Sequence, residues 1–133
     1  MTQRSIVNFL QFQLPAIAWA IFIFTVSSIP ASRIPHFISY TDKIVHASVF
    51  FILCWLTHVA FHFQPNKTLR KYALAIAIFF VVVYGGSDEY HQFYTPGRSL
   101  DAMDLLADAI GGFLYFVIYL RLRFYEDKFV PTA

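Results

Sequence analysis

At 133 residues the chain has room for one domain, covering 1–133, and 58% of it is apolar while only 14% is charged. Sixteen Phe and eight Tyr exceed what a small soluble core can use, which points to an all-α integral membrane protein. The net charge of +2 comes from basic residues clustered at the ends of apolar segments, not from a basic stripe interleaved with aromatics, so no nucleic-acid partner is expected.

Four apolar segments follow along the chain, at about 14–29, 44–61, 72–84 and 105–120. Arg4 ahead of the first and the small residues Ser27, Ser28 and Ala31 behind it give a passing likeness to a signal peptide. The positive region is weak and the cleavage site is not of the A-x-A kind, so a retained first helix is expected. Pro15 suits a first helical turn. Pro30 and Pro35 bound the first loop, with His36 an unremarkable loop residue, and Gln64 to Asn66 make the second turn. The single cysteine, Cys54, falls mid-segment and reads as a small packing residue. There is no internal repeat or linker. The expected architecture is a four-transmembrane-helix bundle.

Lysine and arginine set the orientation. One side carries Arg4, Lys67, Arg70, Lys71, Arg121, Arg123 and Lys128; the other carries Arg33, Lys43 and Arg98. This bias predicts cytoplasmic termini in a multi-pass plasma-membrane protein, with loops 30–42 and 85–104 facing outward. Six of the eight acids, Asp42, Asp88, Glu89, Asp101, Asp104 and Asp108, then lie on the outer side.

A spanning helix needs ~20 residues to cross ~30 Å of hydrocarbon. The third segment is too short unless it continues through residues 85–91, and the fourth unless it begins near Asp101. Asp88 and Glu89 then lie at or below the edge of the hydrocarbon, and Asp108 sits ~6 Å deeper than Asp104 at 1.5 Å per residue. Carboxylates at that depth must line a cavity inside the bundle.

Residues three or four apart share a helical face. Asp101, Asp104 and Asp108 form an acidic stripe on the fourth helix. Asp88, His91 and Gln92 share a face of the third, with Glu89 spaced to pair with Gln92. Asp42 and His46 share a face of the second, beside Lys43. Together they predict a polar pocket at the outer end, with Gly85–Gly86 and Gly111–Gly112 allowing close helix approach. Plain structural roles compete with this reading. Asp101 suits an N-cap with Asp104 completing a capping-box-like pattern, and Asp42 suits a cap of the second helix. Arg98 suits an ion pair with Asp101 or Asp104, or a contact with lipid phosphate. His46 also fits a packing role, while His58 and His62 read as interfacial residues at the inner end. Glu89 and Asp108 have no such structural role, being deep and poorly placed as caps.

The pieces D-K-I-V-H at Asp42 to His46 and S-D-E-Y-H-Q-F-Y-T-P-G-R-S-L-D-A-M-D-L-L-A-D-A-I-G-G from Ser87 to Gly112 resemble the VanZ-like family. These are small bacterial membrane proteins named for a teicoplanin-resistance protein. The family pattern is a DK-x-x-H helix start, a DE-x-x-Q-x-F-x-x-x-R segment and a D-x-x-x-[ND]-x-x-G helix. Asp104, Asp108 and Gly111 carry the last element, and Asp108 stands where Asn is common, which adds a second deep acid. The resemblance implies a four-helix membrane domain. Some relatives act as intramembrane glycosidases on glycolipids through a glutamate of the DE motif, a role that would fall on Glu89.

The leading functional expectation is a glycoside hydrolase acting on membrane glycolipids. Such cleavage uses one carboxylic acid and a second carboxylate. Glu89 in a partly apolar pocket suits the acid, with Asp104 or Asp108 as its partner. Asp42, Lys43, His46, Asp88, His91, Gln92 and Arg98 are the candidate binding residues. This reading needs no cofactor or metal. Metal-assisted chemistry on a lipid phosphate is the second expectation, since Asp104-x-x-x-Asp108 matches half of the CDP-alcohol phosphotransferase motif; the other half is missing. A non-catalytic binder of lipid or lipoglycopeptide that protects the envelope is the third.

Overall fold

The computed structural model describes residues 3–33 and 39–129, leaving Pro35 and His36 outside the described residues. Every regular element among these residues is helical: α1 (Gln3–Asn8), a π-helical turn (Phe9–Gln13), α2 (Leu14–Ser27), a 3₁₀ turn (Ala31–Arg33), α3 (Ser39–His62), α4 (Lys67–Lys71), α5 (Ala73–Phe93) and α6 (Ala102–Phe129). Four stretches are long and apolar enough to cross a membrane, Ser5–Ser27, Thr41–His62, Ala73–Phe93 and Ala102–Phe124. Both segments that hydropathy alone left short are completed by polar residues. α5 runs through the two glycines to Phe93, and α6 begins directly after Asp101.

Pro15 falls in the first turn of α2, as its position predicts, but the helical path begins earlier, at Gln3, and runs on into α2. Proline lacks the N–H an α-helix needs and its ring crowds the preceding turn. The π turn immediately before it absorbs that mismatch, with the Leu14 N–H bonded to the Phe9 carbonyl.

α3 is the central element and packs chiefly on α6 and α5. The core joins Phe50, Leu53 and Cys54 of α3 to Ala77 and Val81 of α5, Tyr115 of α6 and Ile23 of α2. Cys54 is fully buried there, as its position predicts. Glycine sets the closest approach. A Cβ on Gly111 would strike the Ala47 carbonyl and lie 2.9 Å from the Phe51 nitrogen, so α6 rests backbone to backbone on α3. Gly112 similarly admits Val81, and Gly85 admits Asp108 and Phe50, whereas Gly86 faces open space. Ile21, Ile44, Phe79 and Phe113 are exposed around the outside, the surface a bilayer covers.

The first span buries little of itself and is held by polar tethers. The Trp19 indole donates to the Val49 carbonyl at 3.0 Å, and the Tyr84 hydroxyl to the Ala20 carbonyl at 2.6 Å. At the other end of the core, His58 is buried and bonded through Nδ1 to the Tyr115 hydroxyl at 2.6 Å. His58 is thus a satisfied core residue, not the interfacial one its position near the helix end implied. The long-range bond to α6 explains it.

Candidate functional site

One end of the bundle gathers the polar residues of α3, α5 and α6. Lys43, in the first turns of α3, meets Asp42 at 3.5 Å, Asp101 at 2.6 Å and Asp104. A turn further along α3, His46 Nδ1 is hydrogen-bonded to Asp108 Oδ1 at 2.9 Å, and its Nε2 faces Asp104 Oδ1 at 3.9 Å. The i, i+3 spacing of Lys43 and His46 thus meets the i, i+4 spacing of Asp104 and Asp108 across the helix interface. Gly111, one turn beyond Asp108, brings the two backbones close enough for these short side chains to meet.

Asp101 is the N-cap of α6, accepting the Met103 N–H at 2.8 Å. Asp104 does not complete a capping box, because Lys43 holds it. Glu89 reaches across from α5 instead and accepts the Asp101 N–H on Oε2 at 2.9 Å. The Lys43 ammonium, and then the Met103 N–H, hold the Asp101 carboxyl below the usual carboxylate range. Asp42 lies inside the first turn of α3, which starts at Ser39, and is therefore not its cap.

Glu89 and Asp108 are among the most buried side chains of the chain, at 2% and 1% exposure. Each keeps one oxygen without a hydrogen-bond partner, Oε1 of Glu89 and Oδ2 of Asp108. Buried polar atoms are nearly always satisfied, so these oxygens require a proton, a water, a cation or a substrate hydroxyl. Donor atoms of His46, Glu89 and Asp108 all lie within 4.8 Å of one another, as do those of Asp42, His46 and Asp104. Imidazole with hard carboxylate oxygens is a donor set that suits a divalent cation.

Asp88 belongs to a neighbouring network. Its Oδ2 accepts from Ser27 of α2 and from Gln92, each at 2.9 Å, while Oδ1 has no partner. Arg98 donates to Gln92 Oε1 at 3.0 Å and to the Ile29 carbonyl at 3.3 Å. Gln92 therefore pairs with Asp88 and Arg98, not with Glu89, and Arg98 meets neither Asp101 nor Asp104.

A cavity of about 840 Å³ opens over this end. Asp42, Lys43, His46, Asp88, Gln92, Arg98 and Asp104 line it, whereas Glu89 and Asp108 do not border it and lie next to His46 of its lining. His91 does not line it. Its ring turns to α2, bonding Ser28 Oγ at 2.9 Å and stacking on Phe24 at 4.4 Å. A second cavity of about 540 Å³, among Ala16, Phe61 and Phe80, is apolar and holds none of these residues. Ser27 and Arg33 also border the polar cavity and were missed in the sequence. Ser27 looks like an ordinary small residue at a helix end, and Arg33 like one loop charge.

Four helices long and apolar enough to span a membrane, with carboxylates buried near a lysine and a histidine at one end, define a helical membrane protein. The chain belongs to the VanZ/LLP1 family, whose model matches residues 3–123. No curated protein and no solved structure matches the chain.

Proposed function

We propose that this protein is a glycoside hydrolase that removes sugar headgroups from membrane glycolipids, with Glu89 as acid and base and Asp108 as the second carboxylate. The observation that carries the reading is the pair Glu89 and Asp108, buried carboxylates with unpartnered oxygens on facing helices, next to His46 of the polar cavity. Glycosidic cleavage needs two such acids. Asp104 is the weaker partner, because Lys43 already holds it.

In this mechanism Glu89 gives its proton to the oxygen leaving with the lipid, and Asp108 Oδ2 bonds the anomeric carbon. Water then breaks that bond while Glu89 takes a proton back, giving free sugar and lipid alcohol. His46 holds Asp108 through its other oxygen and fixes its direction. Asp42, Lys43, Asp88, Gln92 and Arg98 contact the headgroup from the cavity wall. The seven-to-three division of Lys and Arg supports a plasma-membrane topology in which the cavity faces away from the cytoplasm.

The test is sugar release from a panel of glycosyl-diacylglycerols by purified protein, comparing the wild type with Glu89→Gln. Release that the substitution abolishes supports the reading. Silence on every lipid sinks it and favours a binding protein of the envelope. The His46, Glu89 and Asp108 donor set supports a second reading, a divalent cation acting on a lipid phosphate. Activity lost to EDTA and restored by added metal would establish that reading instead.

A further inference from the structure

We propose that Arg33 and Arg98 form a phosphate-binding subsite at the rim of the polar cavity, so that the lipid acted on carries a phosphate beside its sugar. The inference rests on the glycolipid reading of the same cavity.

All three Lys and Arg residues at this end among the described residues, Arg33, Lys43 and Arg98, line that one cavity. Their charges are handled differently. Lys43 is surrounded by Asp42, Asp101 and Asp104. Neither arginine meets a carboxylate among the described residues. Arg98 uses two of its five N–H donors on neutral acceptors, the Gln92 amide and the Ile29 carbonyl, and these fix its direction without cancelling its charge. The Arg33 side chain has no partner among the described residues.

The fold brings the two together. The Ala31 N–H donates to the Pro96 carbonyl at 3.1 Å, tying the 3₁₀ turn that ends in Arg33 to the turn that precedes Arg98. Gly97, at φ 77°, completes that turn, and a Cβ there would press to 3.2 Å of Ala31 Cβ. The two loops meet there, and both arginines line the same cavity.

Depth names the ligand. The first and third spans end at Ser27 and Phe93, so both arginines stand a few residues beyond the hydrocarbon, at the level of lipid headgroups. The guanidinium fork matches phosphate oxygens, and two forks suit a group with several anionic oxygens better than a lone carboxylate. The cavity is thereby polarised, with the sugar over His46 and Asp104 and the phosphate at the arginine rim.

The experiment measures binding of short-chain lipids to the full-length protein in uncharged detergent, by ligand-dependent shift of the unfolding temperature. The probes are dihexanoyl phosphatidic acid, dihexanoyl phosphatidylglycerol, octyl glucoside and inorganic phosphate. The phosphate lipids should bind, and Arg33→Gln and Arg98→Gln should each weaken them roughly ten- to a hundredfold, the range for a lost charged hydrogen bond. Arg33→Gln breaks no internal bond and stays informative if Arg98→Gln fails to fold. Lys67→Gln, at the start of α4, should change nothing. Tight binding of inorganic phosphate alone would overturn the lipid assignment. Equal binding of octyl glucoside, unchanged affinity in both arginine variants, or an equal loss in Lys67→Gln would overturn the subsite. Phosphate-lipid binding without sugar release from any lipid would sink the hydrolase reading alone.

Discussion

Gly86 and Gly111 form a matched pair that isolates what close helix contact contributes. Replacing Gly111 by Ala places a methyl against the Ala47 carbonyl and within 3.0 Å of the Ala47 carbonyl carbon, all of it backbone that cannot rotate away. α3 and α6 must separate, and overpacking of this kind costs about 1–3 kcal/mol. The gain of up to ~1 kcal/mol from Ala over Gly within a helix offsets part of it. With that full gain, the net expectation for Gly111→Ala is a loss of up to about 2 kcal/mol. Gly86→Ala meets nothing within 4 Å and keeps only the helical gain. Both share the helical gain, so the two variants should differ by the overpacking cost alone, about 1–3 kcal/mol. Loss of helicity on titrating SDS into detergent micelles reads this directly. The separation also pulls His46 from Asp108, because Ala47 follows His46 and Gly111 lies one turn from Asp108, so sugar release should fall in Gly111→Ala alone. Equal stability of the two variants would refute the claim that α6 rests backbone to backbone on α3.

Other outcomes follow from the same geometry. Glu89→Gln keeps an acceptor for the Asp101 N–H and should unfold at nearly the wild-type midpoint while sugar release drops about 10²–10⁴-fold, the usual range for a lost general acid; comparable turnover in the variant would remove Glu89 from the chemistry. Asp101 has its carboxyl held below the ordinary range, so its contribution to stability is complete above the unfolded value near ~3.9 and is lost as pH falls through the lower folded value. Asp101→Asn should therefore flatten the acid limb of a stability profile below about pH 4, and an unchanged limb would contradict the Lys43 contact. Ser27→Ala removes one of the two donors to Asp88 and should cost about 0.6–1.7 kcal/mol, whereas Thr25→Ala, on an exposed face, should stay within about 0.5 kcal/mol; the unfolding midpoints of the two variants decide it.

Much of the architecture was legible because the bilayer imposes length. Thirteen apolar residues cannot span it, so α5 had to extend through Asp88 and Glu89. The acidic stripe of α6 and the Lys43–His46 face of α3 were likewise readable from helical spacing. What was hidden concerns helix rotation. A helix apolar on nearly all sides does not state which side meets its neighbour, so spacing alone put His91 with Asp88 and Gln92 when it turns to Phe24. Local signals also offered Asp104 as the capping partner of Asp101, a place that Glu89 takes from another helix.

Chain composition and the needs of a membrane span determined by themselves that this is a four-helix membrane protein with acids near the ends of its spans, because those properties are additive along the chain. Only the tertiary structure decided which acids are paired and which are left open. Lys43 lies opposite Asp104, His46 opposite Asp108, and Glu89 over the start of α6, through contacts between residues 12 to 62 positions apart. Such contacts depend on how closely Gly111 lets two backbones approach and on how each helix turns about its axis, and neither is written in any local run of residues.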